Sequence, residues 1–166
     1  IIPESYDPTI SGAYRTDAAG VAALNAEGFI DARVQAVVDE LREVIIAQES
    51  EWFGISEVFL NGNRNPGVRS EETNLGNLTA DANLAYARQI DASVVVSLKN
   101  GGGIRTAIGT VEVGSGEKDP PIANPDAGKP EGGISTLDIE NSLRFNNRLV
   151  VFDTTAAGLK AILEHG

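Results

Sequence analysis

The sequence predicts an α+β fold, one domain in which a mixed sheet packs with helices. Three observations carry this. Several stretches repeat apolar residues every three to four positions, the period of a helix with one buried face. Between them lie short β-branched runs flanked by glycine, proline and asparagine, the signature of strands. Helices and strands follow one another without a regular βαβ repeat or any internal repeat, so a purely parallel sheet is not expected. The 166 residues suffice for one domain with a core.

Residues 1–30 mix Pro, Gly and Ala without a sustained period and are expected to be irregular or surface-hugging. Residues 31–49, DARVQAVVDELREVIIAQE, are the clearest helix, with Val34, Val37, Val38, Leu41 and Ile45 on one stripe and Asp31 as N-cap. GISEVFL (54–60) reads as a strand, and NGNRNPG (61–67) as a turn-rich loop. A second helix is expected over 74–88, capped by Thr73 or Asn74, with Leu75, Leu78, Ala82 and Ala85 inward. Gly76 within it costs about 1 kcal/mol relative to Ala, which suggests the close approach of a neighbour. SVVVSL (93–98) is a continuous β-branched run, the pattern of a strand buried on both faces. TVEV (110–113) is a further strand. The segment 114–133 holds four prolines and five glycines and reads as a surface excursion or a functional loop. STLDIENSL (135–143) is a short helix whose Ser135 and Asp138 fit a capping box. LVVFD (149–153) is a strand. TTAAGLKAILEHG closes the sequence as a helix with Leu159, Ile162 and Leu163 inward and Gly166 at C′.

Composition limits function. A net charge of −11 and the lack of a basic face argue against binding a nucleic acid polymer. With no cysteine, disulfides, thiol catalysis and thiolate metal sites are excluded. No apolar run approaches the ~18 residues that suggest a membrane-spanning helix. Methionine is absent and no basic-then-apolar leader is present, so the sequence reads as a piece of something longer.

SLKNGGGIRTAIG (97–109) stands out: an expected buried strand runs into three glycines and an arginine. Neither common phosphate cradle fits, because the glycine spacing is wrong for both and no lysine follows. Glycines without Cβ still let a ligand touch the backbone and can aim successive N–H groups at an anion. Arg105 would add a planar, bidentate charge, and Asn100 a donor and an acceptor. On spacing alone, a tight strand-exit turn with a surface arginine is as good a reading.

Three motifs in order widen the view: VRSEETNLGNLTADA (68–82), KNGGGIR (99–105) and SLRFNNRLVVFDTTAAGLKAILEHG. Together they resemble the C-terminal domain of the 5'-nucleotidase family over about residues 57–166, with residues 1–56 matching loosely as a lead-in segment and helix. The resemblance implies a 5'-nucleotidase C-terminal-like substrate-binding domain, incomplete at its C-terminus. It further implies that this domain is part of an exported metallophosphoesterase, periplasmic, extracellular or at the cell surface, that hydrolyses nucleoside 5'-phosphates. In that family an N-terminal metallophosphatase domain holds two divalent metal ions, and the C-terminal domain holds the nucleotide.

Carried over residue by residue, the resemblance implies that Arg69 reaches the phosphate. Asn100, Gly102, Gly103 and Arg105 contact nucleotide and phosphate, Phe145 stacks on the base, and Asn147 is its polar neighbour. It also implies a second stacking aromatic and a ribose-contacting aspartate further downstream. Where the family has Leu-Pro-Phe, this sequence has Leu143-Arg144-Phe145, and Arg144 or Arg148 adds charge near the site or is simply solvated. No catalytic residue, metal ligand or cofactor is expected in this fragment. A dinuclear site needs several ligands, while His165, the single histidine, suits a helix C-terminus. Glu71, Glu72 and Asp81 fit a helix start and surface rather than acid–base catalysis. A competing reading makes the segment a non-catalytic interaction module of a large secreted or surface protein, with 114–133 carrying the contact.

Overall fold

The computed structural model describes residues 17–165, and the expectations for residues 1–16 and Gly166 lie outside them. The chain divides into two compact units, residues 1–45 and 46–166. In the first, α1 (Ala18–Ala23) starts at Asp17, whose carboxylate accepts from the Gly20 amide at 2.9 Å. A short 3-10 turn follows at Glu27–Phe29. The helix α2 (Ala32–Ser50) begins in this unit, and the Asp31 carboxylate accepts from the Arg33 amide at 2.8 Å, as expected of a cap. None of its residues is buried, and Val34, Val37, Val38 and Leu41 are more than half exposed.

The second unit contains β1 (Trp52–Ile55), α3 (Asn74–Ile90), β2 (Thr110–Val111), β3 (Lys118–Asp119), β4 (Gly133–Ser135), α4 (Thr136–Ser142) and α5 (Ala156–His165). The α+β class holds. Its strands form two antiparallel pairs: β1 with β4, irregular between Trp52 and Gly54, and the hairpin β2–β3. Beyond β1, the expected strand 54–60 contributes a single bridge, Leu60 to Ile108.

Two other expected strands differ. Residues 93–98 and 149–153 are assigned to no strand, and Val95, Val96, Val150 and Val151 are about half to three-quarters exposed. A β-branched run reveals a preference for extended backbone but cannot supply the neighbouring strand that would bury it.

Thr73 caps α3, its hydroxyl accepting from the Gly76 amide at 3.1 Å. A Cβ on Gly76 would lie 3.0 Å from that hydroxyl, so the glycine makes room for the cap itself. The face that α3 buries runs through Leu75, Thr79 and Ala87, whereas Leu78, Ala82 and Ala85 are exposed. Thr79 tolerates burial because its hydroxyl donates to the Gly76 carbonyl at 3.0 Å. α4 starts with the expected capping box, in which Ser135 and Asp138 bond reciprocally. In α5, Leu159 is half-buried while Ile162 and Leu163 are exposed.

The segment 114–133 is not a loose excursion. It contains β3 and a 3-10 turn at Pro125–Ala127, and it buries Pro121, Ala127 and Lys129. The Lys129 ammonium lies 2.8 Å from Glu49 and 3.7 Å from Asp138. The core of the unit is Leu60, Leu75, Ile104 and Ile108, with Val68, Ile134 and Leu143 packed against it. That core lies directly behind the glycine loop.

Candidate nucleotide-binding site

The glycine loop is anchored at both ends. Asn100 caps a 3-10 turn at Gly101–Gly103, its side-chain oxygen accepting from the Gly102 amide at 2.9 Å. The Gly103 amide donates to the Asn100 carbonyl at 3.0 Å. After the turn, Ile104 is 1% exposed and Ile108 4%, so the chain is pinned to the core on both sides of Arg105. The Arg105 amide donates to the Ser142 carbonyl at 2.8 Å, and the buried Ser142 hydroxyl donates to the Thr106 carbonyl at 2.8 Å. These two bonds join the glycine loop to the end of α4. Three residues beyond Ser142, the Phe145 ring lies under the Arg105 guanidinium, 5.4 Å from its carbon to the ring centroid. That is within the range of an attractive cation–π contact.

The loop also meets residues 61–70. A Cβ on Gly101 would collide with the Val68 carbonyl oxygen and come within 3.7 Å of the Arg69 nitrogen, so this glycine permits backbone-to-backbone packing. Residues 63–71 are folded by their own bonds: Val68 N–H to the Asn63 carbonyl at 2.9 Å, and Ser70 and Glu71 N–H to the Gly67 carbonyl at 2.8 and 2.9 Å. Gly67 has φ +146°, a conformation other residues rarely adopt, and a Cβ there would strike the Asn63 carbonyl. This turn puts a third arginine beside the two expected ones. Arg64 has its pKa lowered from the usual arginine value by the positive charge of Arg69 first, then by that of Arg105 and by desolvation. Among the described residues, Arg64, Arg69 and Arg105 form no ion pair.

Arginines that sense one another's charge and form no ion pair among the described residues are chemically suited to an anion. Of the expected site residues, Asn100, Gly102, Gly103, Arg105 and Phe145 come together with Arg69 around the glycine turn. Asn147 is exposed, and its amide donates to the Phe145 carbonyl at 2.9 Å. Arg64 was missed because NGNRNPG reads as an ordinary turn. Its one sequence signal is an arginine inside a short loop five residues before Arg69. Space within 4 Å of a Cβ on Gly103 is open, whereas Gly101 and Gly102 face neighbours.

No group of three or more His, Cys, Asp or Glu side chains suited to a metal ion occurs among the described residues. No described helix is long and apolar enough to cross a membrane.

Replacing Gly101 with alanine is expected to push the glycine loop away from Val68. We expect a loss of about 1–3 kcal/mol of stability, the usual range for forcing atoms into a packed site. The denaturation midpoint should fall with an unchanged slope.

Comparison with known proteins identifies the family. A model of the family described as "5'-nucleotidase, C-terminal domain" matches residues 53–166. The "Trifunctional nucleotide phosphoesterase protein YfkN" of Bacillus subtilis (strain 168) is 30% identical over 157 residues, 93% of this chain and 9% of that protein. "Protein 5NUC" of Lutzomyia longipalpis is 33% identical over 145 residues, 81% of this chain and 22% of that protein. The chain thus spans less than a quarter of either relative. No solved structure matches. The matched stretch includes the glycine loop, all three arginines, Phe145 and the core behind them, and the chain belongs to the 5'-nucleotidase C-terminal domain family.

Proposed function

We propose that residues 57–166 are the substrate-binding domain of an exported metallophosphoesterase that hydrolyses nucleoside 5'-phosphates, with residues 1–56 as its lead-in. The observation that carries this reading is the convergence of Arg64, Arg69 and Arg105 on the glycine loop, with Phe145 under Arg105. The arginines take the phosphate. Asn100, Gly102 and Gly103 line the nucleotide, and Phe145 with its neighbour Asn147 takes the base, where stacking contributes ~1–3 kcal/mol. Two divalent metal ions and the attacking water belong to a metallophosphatase domain outside these residues. A periplasmic or cell-surface location is part of the same proposal and rests on family kinship.

Calorimetric titration of the chain with AMP and adenosine tests the reading. AMP should bind more tightly than adenosine, and the purified chain should release no phosphate from AMP with or without divalent metal. Metal-dependent phosphate release by the pure chain would overturn it.

A second check uses the open space at Gly103. Gly103→Ala should leave stability unchanged or raise it by about 0.4–1 kcal/mol, because nothing in the protein opposes the methyl group. The same substitution should weaken AMP binding if a nucleotide approaches the backbone there. Unchanged AMP affinity would remove Gly103 from the site.

A further inference from the structure

Ser142, the last residue of α4, is 0% exposed, although serine is ordinarily a surface residue. Its carbonyl accepts from the Arg105 amide and its hydroxyl donates to the Thr106 carbonyl, both at 2.8 Å. A carbonyl at the end of a helix lacks a partner within the helix, and the Arg105 amide supplies one. The hydroxyl bond is an addition to this: an alanine would retain the first bond and lose only the second. The Thr106 carbonyl is a junction of three segments. Leu60 and Ile108 exchange backbone hydrogen bonds at 2.9 and 3.0 Å, and two residues further on a Cβ on Gly62 would strike the Thr106 carbonyl. Gly62 thus brings the turn that carries Arg64 and Arg69 against this carbonyl, while Ser142 bonds to it. From Ser142 the chain runs three residues to Phe145, whose ring lies under the Arg105 guanidinium. The other end of α4 is held separately: the Thr136 amide donates to the Glu51 carbonyl at 2.9 Å, and Ser135 and Asp138 form the capping box. A bond from the last residue of a helix fixed at its start transmits a defined position.

We propose that Ser142 is a positioning residue: its hydroxyl, through the Thr106 carbonyl, sets the spacing between the arginines and the Phe145 ring so that one nucleotide reaches both. This role rests on the nucleotide reading of the site. A ligand that meets the arginines and the ring together makes its second contact intramolecularly. The gain depends on how closely the two places are held at the span of the ligand. Phosphate alone or nucleoside alone uses one place and is indifferent to the spacing.

Dissociation constants for AMP, adenosine and inorganic phosphate would be measured by NMR titration of the wild-type chain, Ser142→Ala and Ser142→Cys, each well below its denaturation midpoint. We expect Ser142→Ala to weaken AMP binding about fivefold to tenfold, and adenosine and inorganic phosphate by no more than about twofold each. Ser142→Cys keeps a weak donor, so it should fall between, and it takes the place of the alanine variant should that one fail to fold. A purely structural role would not produce this split, since a folded variant with undisturbed spacing binds AMP as the wild type does. Unchanged AMP affinity would overturn the proposal. So would losses of equal size for AMP and for either of its parts, which would put Ser142 behind one contact rather than between two. A wild-type chain that binds AMP no more tightly than adenosine would instead refute the nucleotide reading, and the role of Ser142 with it.

Discussion

Arg105→Ala is expected to weaken AMP binding by about tenfold to a hundredfold while leaving adenosine binding within about twofold. The magnitude follows from hydrogen bonds to a charged group, ~1.5–3 kcal/mol, and a tenfold change is about 1.4 kcal/mol. Arg105 can deliver it because its backbone is fixed by the buried Ile104 and by the 2.8 Å bond to Ser142. Its guanidinium has no carboxylate to leave before it meets a phosphate. The contrast between ligands isolates the phosphate, since both carry the same base and ribose. Arg105→Ala also removes the cation from the Phe145 ring, so any fall in adenosine affinity would report a change at the base-stacking ring rather than the loss of a phosphate contact. Equal losses for the two ligands, measured by calorimetry at fixed ionic strength, would contradict a phosphate role. Arg105→Lys should fall between, because lysine keeps the charge and loses the planar fork. The wild-type advantage for AMP should shrink as salt rises, as expected of exposed charges.

How far the sequence foretold this molecule depended on how local each signal was. The capping box at Ser135 and Asp138 and the start of α3 at Thr73 or Asn74 are set by residues within three positions of one another and were legible, with Thr73 proving to be the cap; the 3-10 turn that Asn100 caps was legible only as a tight turn. The buried face of α3 was not, because Thr79 satisfies its own hydroxyl and so occupies an inward position that a polarity pattern assigns to solvent. The runs 93–98 and 149–153 carry a β-branched preference, but no described strand pairs with either, so neither forms the expected strand. In the site, Arg69, Arg105 and Phe145 were reached through motif resemblance. Arg64 emerged only from the fold of residues 63–71, where the bonds of Asn63 and Gly67 to Val68, Ser70 and Glu71 bring it to the same place. The ordered state of 114–133 was hidden for a similar reason. Prolines and glycines suggest a loop, and nothing in that composition reveals that Lys129 is to be buried against Glu49.

Lys129 carries the second large expectation: Lys129→Ala should destabilise the protein by about 3–5 kcal/mol. Its side chain is 4% exposed, and it joins Glu49 near the end of α2 to Asp138 in the capping box of α4. The Asn124 side chain donates to the same Glu49 carboxylate, and Asn124 and Lys129 also exchange backbone hydrogen bonds at 3.0 Å. Removing the ammonium leaves Glu49, 15% exposed, without its countercharge, and the cost of a broken buried pair falls in that range. Lys129→Met with Glu49→Leu should recover much of the loss, because an apolar pair of similar volume avoids the desolvation of both charges. No recovery would mean that the backbone of 124–129, rather than the charge, carries the stability. Acidity provides a separate readout. Burial raises the Glu49 pKa, but the hydrogen bonds from Asn124 and Lys129 and the Lys129 charge outweigh it, so the folded-state value lies below the ordinary 4.5. A depressed carboxylate stabilises above its unfolded pKa, and that contribution is lost as pH falls through the folded value. Between pH 7 and pH 3 the wild type should therefore lose more stability than Lys129→Ala, in which only Asn124 opposes burial and the Glu49 pKa rises. Urea denaturation at the two pH values measures this difference, and parallel losses would place the stabilising role of Lys129 in its packing rather than in its charge.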